Sequence, residues 1–326
     1  MNHRLSPGDG SILCSLDRSR RATLPEVQFS YPLKLIVPNR RFLDPVQVVW
    51  VIGYGGGLVA GDRVRLRVKV EKGSTLVLLT QGSTKVYKTR QGRYLSDAHQ
   101  STNPSTIQLY RIAISPTSLL ILLPSPVTCF SQARYEQKQV IHLEDETSSL
   151  ILLDWFTSGR MGYSTSGNQN GQDEDNRGEA WEFERYRSEN EIWLKGERIT
   201  KDVLLLQDEI DEIDQTLSEP KTQTCTTYRH RVEPYSCYAS LFLLGPQCEP
   251  LMRHISKSFL SLTQYKQPRP YSLIWSYSPL EGGGGIARCA GHSTEAVKEW
   301  VCELLSADEG GIESLIGKDL WKSTFS

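Results

Sequence analysis

The clearest pattern in the chain lies at Arg63–Val70, where four apolar residues alternate with four basic residues. An alternation of period two places one face of a strand on a core and the other face in water. This segment is therefore predicted to be a half-buried antiparallel strand. The turn residues Glu71–Ser74 follow it, and Thr75–Thr80 is then a continuous apolar run, typical of a strand that is buried on both faces.

Similar apolar runs recur through the first half of the chain and make the region from Val27 to about Leu153 a β region. Many short strands with few helical windows favour sheets that pack on one another. The fold class expected is mainly β, with layered antiparallel or mixed sheets. The further predicted strands are Val46–Ile52, Ile107–Ile114, Ser118–Leu123, Lys138–Leu143 and Ser149–Leu153.

Three stretches interrupt or end this pattern. Residues 1–20 are polar and expected to be loosely ordered, although Ile12–Leu16 could form a short strand. Residues 159–178 are rich in Ser, Gly, Asn and acidic residues, so a flexible surface loop is predicted. After it, Trp181 to Glu184 and Glu191 to Leu194 are expected to form a hairpin that turns at Ser188–Asn190.

The C-terminal part, residues 246–326, is expected to carry two or three helices within one domain that spans residues 1–326. One helix begins near Pro250 and places Leu251, Met252, Ile255, Phe259 and Leu262 on one face. Another has Ser293 as its N-cap and Val297, Trp300, Val301, Leu304 and Leu305 at helical spacing. Between the two helices, residues 270–278 are predicted to form a strand, and residues 281–286 a glycine-rich loop.

Composition narrows the class of protein. The chain has 37 basic and 38 acidic residues, and a net charge of -1 gives no electrostatic argument for nucleic acid or membrane as a partner. The seven cysteines lack a CxxC pair, which argues against a disulfide framework and favours a reducing compartment. With no apolar leader and no long apolar run, we expect a cytoplasmic protein.

The segment Gly55–Asp62 has glycines spaced as in a phosphate-binding loop. Gly56 and Gly61 have the required spacing, but Asp62 and Arg63 stand where such a loop needs Lys and then Ser or Thr. A carboxylate at the lysine position would repel phosphate, and the chain continues into a strand. A glycine-rich turn or bulge is the better interpretation, and an enzyme that binds a phosphate ligand at this loop is the weaker alternative.

Other catalytic or metal motifs are weak. Cys289 and His292 have ligand spacing, but two ligands are half of a closed metal site, so they remain weak candidates. Asp154 ends a strand near Arg160, where an ordinary ion pair at a sheet edge competes with a functional role. No nucleophile, base and oxyanion donors converge, and we predict that the protein is not an enzyme.

Three segments together resemble the UreD family, also called UreH, of urease accessory proteins. They are Tyr31–Pro38, Tyr54–Asp62 with its GGGLVAGD element, and Thr80–Lys88 with the sequence TQGSTKVYK. Cys129-Phe130 and Leu153–Trp155 also look like family elements. The resemblance covers about residues 11 to 205, and its strength lies in the order and spacing of the segments.

The resemblance implies a function that composition could not. Proteins of this family are scaffolds or metallochaperones that bind the urease apoprotein and a UreF-type protein, which recruits a UreG-type GTPase. It also implies a β-helix-like layering and an interior tunnel that passes nickel to urease. No tightly bound cofactor is expected, nickel being transient cargo. The alternative is a β-sheet adaptor with no direct role in metal passage.

The candidate residues for a nickel path or partner interface are the polar ones within or next to the family elements. They are Asp62, Thr80, Gln81, Ser83, Thr84, Lys85 and Asp154, with Gly55, Gly56, Gly57 and Gly61 as a structural motif. Asp62 could line the path or fix the loop through backbone hydrogen bonds, and Lys85 could pair with Asp62 or contact a partner. Caps and ion pairs at strand ends explain such residues equally well.

Overall fold

The computed structural model describes residues 5–39, 42–88, 105–160, 179–208, 228–263 and 271–325. The strands are β1 (Asp9–Leu16), β2 (Ala22–Phe29), β3 (Leu33–Ile36), β4 (Val46–Gly53), β5 (Gly57–Leu58), β6 (Arg63–Val70), β7 (Thr75–Leu79), β8 (Thr84–Val86), β9 (Thr106–Ile114), β10 (Leu119–Leu123), β11 (Val127–Cys129), β12 (Arg134–Leu143), β13 (Ser149–Thr157), β14 (Arg185–Leu194), β15 (Glu197–Leu206), β16 (Cys237–Leu244), β17 (Leu273–Leu280) and β18 (Gly284–Gly291). The helices are α1 (Tyr228–Val232), α2 (Glu249–Thr263), α3 (Thr294–Leu305), α4 (Ile312–Ile316) and α5 (Lys318–Thr324), with 3-10 turns at Tyr54–Gly56 and Pro246–Cys248.

The strands form two sheets that the chain visits in turn. The small sheet has the order β15-β14-β12-β9-β6-β1-β2, and the main path of the large sheet is β17-β18-β16-β13-β10-β7-β4-β3. From β6 the chain passes to β7, then to β9 beside β6 and β10 beside β7, then to β12 and β13, and each new strand is parallel to its predecessor. This confirms a mainly β fold with mixed sheets and β-helix-like layering.

Strand β6 confirms the alternation but not the strand direction. Its basic residues are exposed and its apolar residues are buried, in strict alternation. Both of its neighbours, β1 and β9, are parallel to it, so the antiparallel prediction is wrong. Alternation reports that one face is buried, whereas strand direction depends on the connection, and here the chain leaves β6 for the other sheet instead of turning back.

The continuous apolar runs β7, β10 and β13 lie at the centre of the large sheet. One face of each strand packs towards the small sheet, as with Leu76 and Leu152, and the other packs beneath α2 and α3, as with Val77 and Leu153. Burial on both faces is therefore confirmed for Thr75–Leu79. The other predicted strands correspond to β4, β9, β10, β12 and β13, although β12 and β13 each extend four residues beyond the prediction.

Two expectations about the strands are wrong. Asp9–Leu16 is not loosely ordered, because it forms β1 between β2 and β6 and buries Ile12 and Cys14. The hairpin does not turn at Ser188–Asn190, because these residues lie inside β14. The turn instead falls at Lys195-Gly196 between β14 and β15, where both residues have positive φ. The polar triplet resembled a turn since two of its side chains face a polar interior.

The helical predictions hold for the two main helices. α2 and α3 cover the outer face of the large sheet, and the Ser293 hydroxyl accepts a hydrogen bond from the Ala296 amide at 3.1 Å. The described C-terminal part has four helices, since the short α4 and α5 follow α3. Strand β17 confirms the strand predicted there, while the glycine loop is shorter than expected because β18 begins at Gly284.

The loop predicted at residues 159–178 lies outside the described residues from 161 onward. Among the helices that the structure describes, none is both long and apolar enough to cross a lipid bilayer.

Candidate functional site

The glycine segment forms a tight corner between β4 and β5. Gly55 and Gly56 have φ values of +74° and +75°, a conformation that side chains with a Cβ rarely adopt. Gly57 has extended backbone, but a Cβ there would lie 2.6 Å from the Lys85 carbonyl oxygen. Gly61 also has positive φ, at +86°. The interpretation as a glycine turn is confirmed, and the corner is pressed against β8.

Asp62 fixes the end of this corner. Its carboxylate accepts a hydrogen bond from the Val59 amide at 2.9 Å, and its own amide donates to the Val59 carbonyl at 3.0 Å. Partial burial raises the pKa of Asp62, and the Val59 hydrogen bond opposes that rise. Of its two expected roles, Asp62 therefore takes the one that fixes the loop. Lys85 is exposed, and no ion pair joins these two described residues.

The segment after β7 forms one wall of a surface cavity, and the glycine corner forms another. Thr80, Gln81, Ser83 and Thr84 line this mouth cavity together with Gly56 and Gly57. The Thr80 hydroxyl accepts a hydrogen bond from the Ser125 amide at 2.6 Å, which fixes its position. The structure thus brings these four polar candidates together. Asp62, Lys85, Gly55 and Gly61 are not among the lining residues.

A second, more enclosed cavity adjoins the mouth cavity and lies between the two sheets. The two cavities share Thr80, Thr84, Gln108 and Tyr110, and the inner one reaches Asp154. Gln137 and Gln139 of β12 also line the inner cavity. The room there suits water molecules or a small ion and is too small for a nucleotide. Polar side chains therefore follow one another from the glycine corner to Asp154, among apolar lining residues such as Val51 and Leu122, and we call this series the polar path.

Asp154 lies on the inner face of β13, at a position where the neighbours two residues away are apolar. Its carboxylate accepts hydrogen bonds from Ser188 Oγ at 2.6 Å, Asn190 Nδ2 at 2.7 Å and Gln137 Nε2 at 3.1 Å. Burial raises its pKa, and these three hydrogen bonds oppose that rise. Part of its surface remains open to the inner cavity.

The negative charge of Asp154 lacks a basic partner. No Lys, Arg or His among the described residues forms an ion pair with it. Arg160, the nearby arginine in sequence, instead binds Glu179, with 2.9 Å between Arg160 Nε and Glu179 Oε2. The interpretation of Asp154 and Arg160 as a sheet-edge ion pair is therefore wrong. An ionised carboxylate without a counter-ion attracts a cation from the cavity.

Two amide oxygens beside Asp154 lack hydrogen-bond donors. Gln139 Oε1 and Asn190 Oδ1 are buried without a partner, and the two residues lie opposite each other on β12 and β14. Only 3% of the Gln139 surface and 1% of the Asn190 surface is exposed. A buried acceptor that lacks a donor costs about 1–3 kcal/mol.

Sequence reasoning missed the amide and hydroxyl residues that surround Asp154. They form rows across the inner face of the small sheet, because Gln108 lies opposite Gln137 and Gln137 lies opposite Ser188. The alternation along β12 could have revealed them, because Gln137 and Gln139 occupy the same buried positions in the alternation as Tyr135 and Ile141. Polar residues in the buried phase of a strand mark a polar interior.

The weak metal candidates Cys289 and His292 lie in different environments. Cys289 packs in the core beneath the helices, and burial raises the pKa of its thiol. His292 is exposed and lies against the Tyr235 ring, with centroids 5.0 Å apart. Within the described ranges, no group of three or more His, Cys, Asp or Glu residues is placed to hold a metal ion.

Comparison with known proteins gives consistent matches over nearly the whole chain. A family profile described as UreD urease accessory protein matches residues 9–315. A protein of Cryptococcus neoformans named urease accessory protein 4 is 33% identical over 98% of this chain and 95% of its own length. Urease accessory protein D of Arabidopsis thaliana is 28% identical over 88% of this chain and 92% of its own. Urease accessory protein UreD of Sorangium cellulosum is 32% identical over 85% of this chain and 73% of its own.

Proposed function

The chain belongs to the UreD family of urease accessory proteins, and we propose that it is a scaffold that also conducts nickel to urease. In this role it binds the urease apoprotein and a UreF-type protein, through which a UreG-type GTPase joins the assembly. Nickel is cargo that passes through the chain, which performs no chemistry of its own. The expected setting is the cytoplasm.

The observation that carries this proposal is the polar path that ends at an uncompensated carboxylate. Hydroxyl, amide and carboxylate oxygens suit a hydrated dication, and Asp154 supplies the charge that draws it inward. A closed four-ligand site would retain the ion. One carboxylate with neutral oxygens holds the ion weakly, and a conduit needs weak binding because the ion must leave again.

The candidate residues then divide by role. Thr80, Ser83 and Thr84 provide oxygens at the entrance, and Asp154 provides the interior stop. Asp62 keeps the glycine corner in shape through its hydrogen bond with Val59. Lys85 is exposed on β8 beside Gly57 and is available to a partner that docks over the mouth cavity.

The test is the substitution Asp154→Asn, which removes the charge and keeps the size of the side chain. We expect the variant to assemble with urease and the UreF-type protein as the wild type does. Urease activation should fall by about tenfold or more, since a single removed charge in an enclosed site changes ion binding by more than ~1 kcal/mol. The measurements are urease activity and nickel per urease active site in a strain that lacks the native gene.

The matched control is Asp308→Asn, the same chemical change at an exposed position between α3 and α4. It should activate urease as the wild type does. Full activation by Asp154→Asn would remove the interior path from the function and leave the adaptor alternative. Normal urease activation in a strain without this protein would refute the accessory role itself.

A further inference from the structure

The outward face of the small sheet carries a cluster of basic residues on two neighbouring strands. We call it the basic face, and it comprises Arg63, Arg65, Arg67, Lys69 and Arg111. All five are exposed, while the opposite side of the same strands packs in the core. A concentration of positive charge on one sheet face contrasts with the net charge of -1 of the whole chain.

Two arginines of the basic face are placed against each other. Arg67 on β6 lies directly opposite Arg111 on β9 in the parallel register. Like charges on directly opposed residues of neighbouring strands destabilise a sheet. Neither arginine forms an ion pair with any described residue, although Arg65 lies 2.7 Å from Asp9 and Lys69 lies 3.8 Å from Glu71.

The rest of the same sheet face shows how the fold treats charges that serve stability. On β14, Glu189 lies 2.7 Å from Lys138 and 3.2 Å from Lys201, so basic residues there have carboxylates within the chain. Folding alone would favour the same arrangement around Arg67 and Arg111. Among the described residues neither arginine has a carboxylate partner, an arrangement that costs folding free energy, and sites that break such local rules are typically functional.

We propose that the basic face docks an acidic surface of a folded protein partner. Guanidinium groups bind carboxylates in a bidentate geometry, and arginine is enriched in protein interfaces. Half-buried Leu13 and Leu109 lie among the charges and supply apolar contact area. Asp9 and Glu136 on this face would repel a nucleic acid or an anionic membrane, so a protein with its own mixed charges fits better.

This inference rests on the proposed function, because the partner is taken to be a member of the urease maturation assembly. The face is separate from the polar path, which lies on the inner side of the sheet. Docking here would leave the mouth cavity free for a second partner.

The test is Arg67→Glu, which places a carboxylate opposite Arg111. The fold should tolerate it, because a repulsive pair becomes an attractive one, and the melting temperature should stay the same or rise. Binding to purified urease apoprotein and to the purified UreF-type protein is measured separately by titration. We expect about tenfold weaker binding to one of them and a smaller loss of affinity as salt is raised, since a paired charge in the interface has been reversed.

The matched control is Arg253→Glu, the same reversal at an exposed position on α2, and it should bind both proteins as the wild type does. If Arg67→Glu binds both with wild-type affinity, the docking proposal is wrong while the proposed function stands. If the wild type binds neither protein, the proposed function fails first. Wild-type binding to anionic vesicles or duplex RNA that Arg67→Glu abolishes, with both proteins bound normally, would also overturn the proposal.

Discussion

At the scale of single residues, Asp154 is an unusual group, because it is a carboxylate on the inner face of a central strand. It stands in the inward phase of β13 between Leu152 and Phe156, both of which are buried and apolar. Three hydrogen bonds hold the carboxylate without neutralising it. An uncompensated buried charge lowers the stability of the folded state, so its presence indicates a role other than folding.

That cost predicts how stability depends on pH. Because burial raises the pKa of Asp154 in the folded state, the folded chain binds this proton more tightly than the unfolded chain, and stability is lost as pH rises through the raised pKa. Asp154→Asn removes the charge, and the unsatisfied Asn190 amide can flip to accept from the new amide group. We expect the variant to be more stable than the wild type at neutral pH, with a difference that shrinks as pH falls towards the ordinary carboxylate range.

Urea unfolding of both proteins at several pH values measures this difference. A wild type that is the more stable protein at neutral pH would contradict it. Nickel should raise the stability of the wild type and leave Asp154→Asn unchanged, since a ligand stabilises only the folded state that binds it.

The candidate site could be predicted in part at this scale. Thr80, Gln81, Ser83 and Thr84 were expected together, as a polar row directly after a buried strand, and they do line one cavity. The shared role of Asp154, Gln137 and Asn190 was not predicted, since these residues lie on three different strands that belong to two sheets. Only the strand register brings them together.

At the scale of elements, periodicity found the strands and helices but not their connections. The alternation in β6 and the helical spacing in α2 and α3 depend on burial, which a sequence records directly. The direction of β6 relative to its neighbours depends on β7 lying in the other sheet. The polar residues Ser188 and Asn190 lie inside a strand, and not in a turn, because they face a polar interior. Both are properties of the assembled sheets, and local sequence does not encode them.

Two substitutions in the glycine corner distinguish a glycine that is required by close packing from one that is required by positive φ. Gly57→Ala should destabilise the protein by about 1–3 kcal/mol, because the added Cβ meets the Lys85 carbonyl and the Tyr87 ring and must push β8 away. Gly55→Ala meets open space and suffers only its positive φ, for about 1 kcal/mol. Chemical denaturation of the two variants gives the comparison, and an equal loss in both would show that β8 moves freely.

At the scale of the whole molecule, the two proposed functions lie on opposite sides of the same sheet. The small sheet lines the polar path with its inner face and presents the basic face outward. The family resemblance implied the layering and the tunnel, and the composition gave no hint of a charged patch because the net charge is close to zero. A net charge cannot reveal basic residues that are gathered on one face of a sheet, because acidic residues elsewhere in the chain cancel them.

Closing the path should separate nickel transfer from assembly. Thr84 lies at the junction of the two cavities, so Thr84→Leu fills the passage with a larger apolar side chain. We expect normal capture of urease and the UreF-type protein with strongly reduced nickel in urease. Thr84→Ser, which keeps the hydroxyl and the space, is the control. Undiminished nickel loading by Thr84→Leu would favour the adaptor role.

The walls of the polar path come from strands spread over much of the sequence, from the end of β4 to the middle of β14. A ribosome must therefore translate beyond Asn190 before the passage exists at all. Nascent, truncated or proteolysed forms would be unable to handle a toxic ion, even where they still carry the glycine corner. Under the proposed function, competence to move metal is thereby tied to translation past the middle of β14, which acts as a quality check that needs no separate sensor.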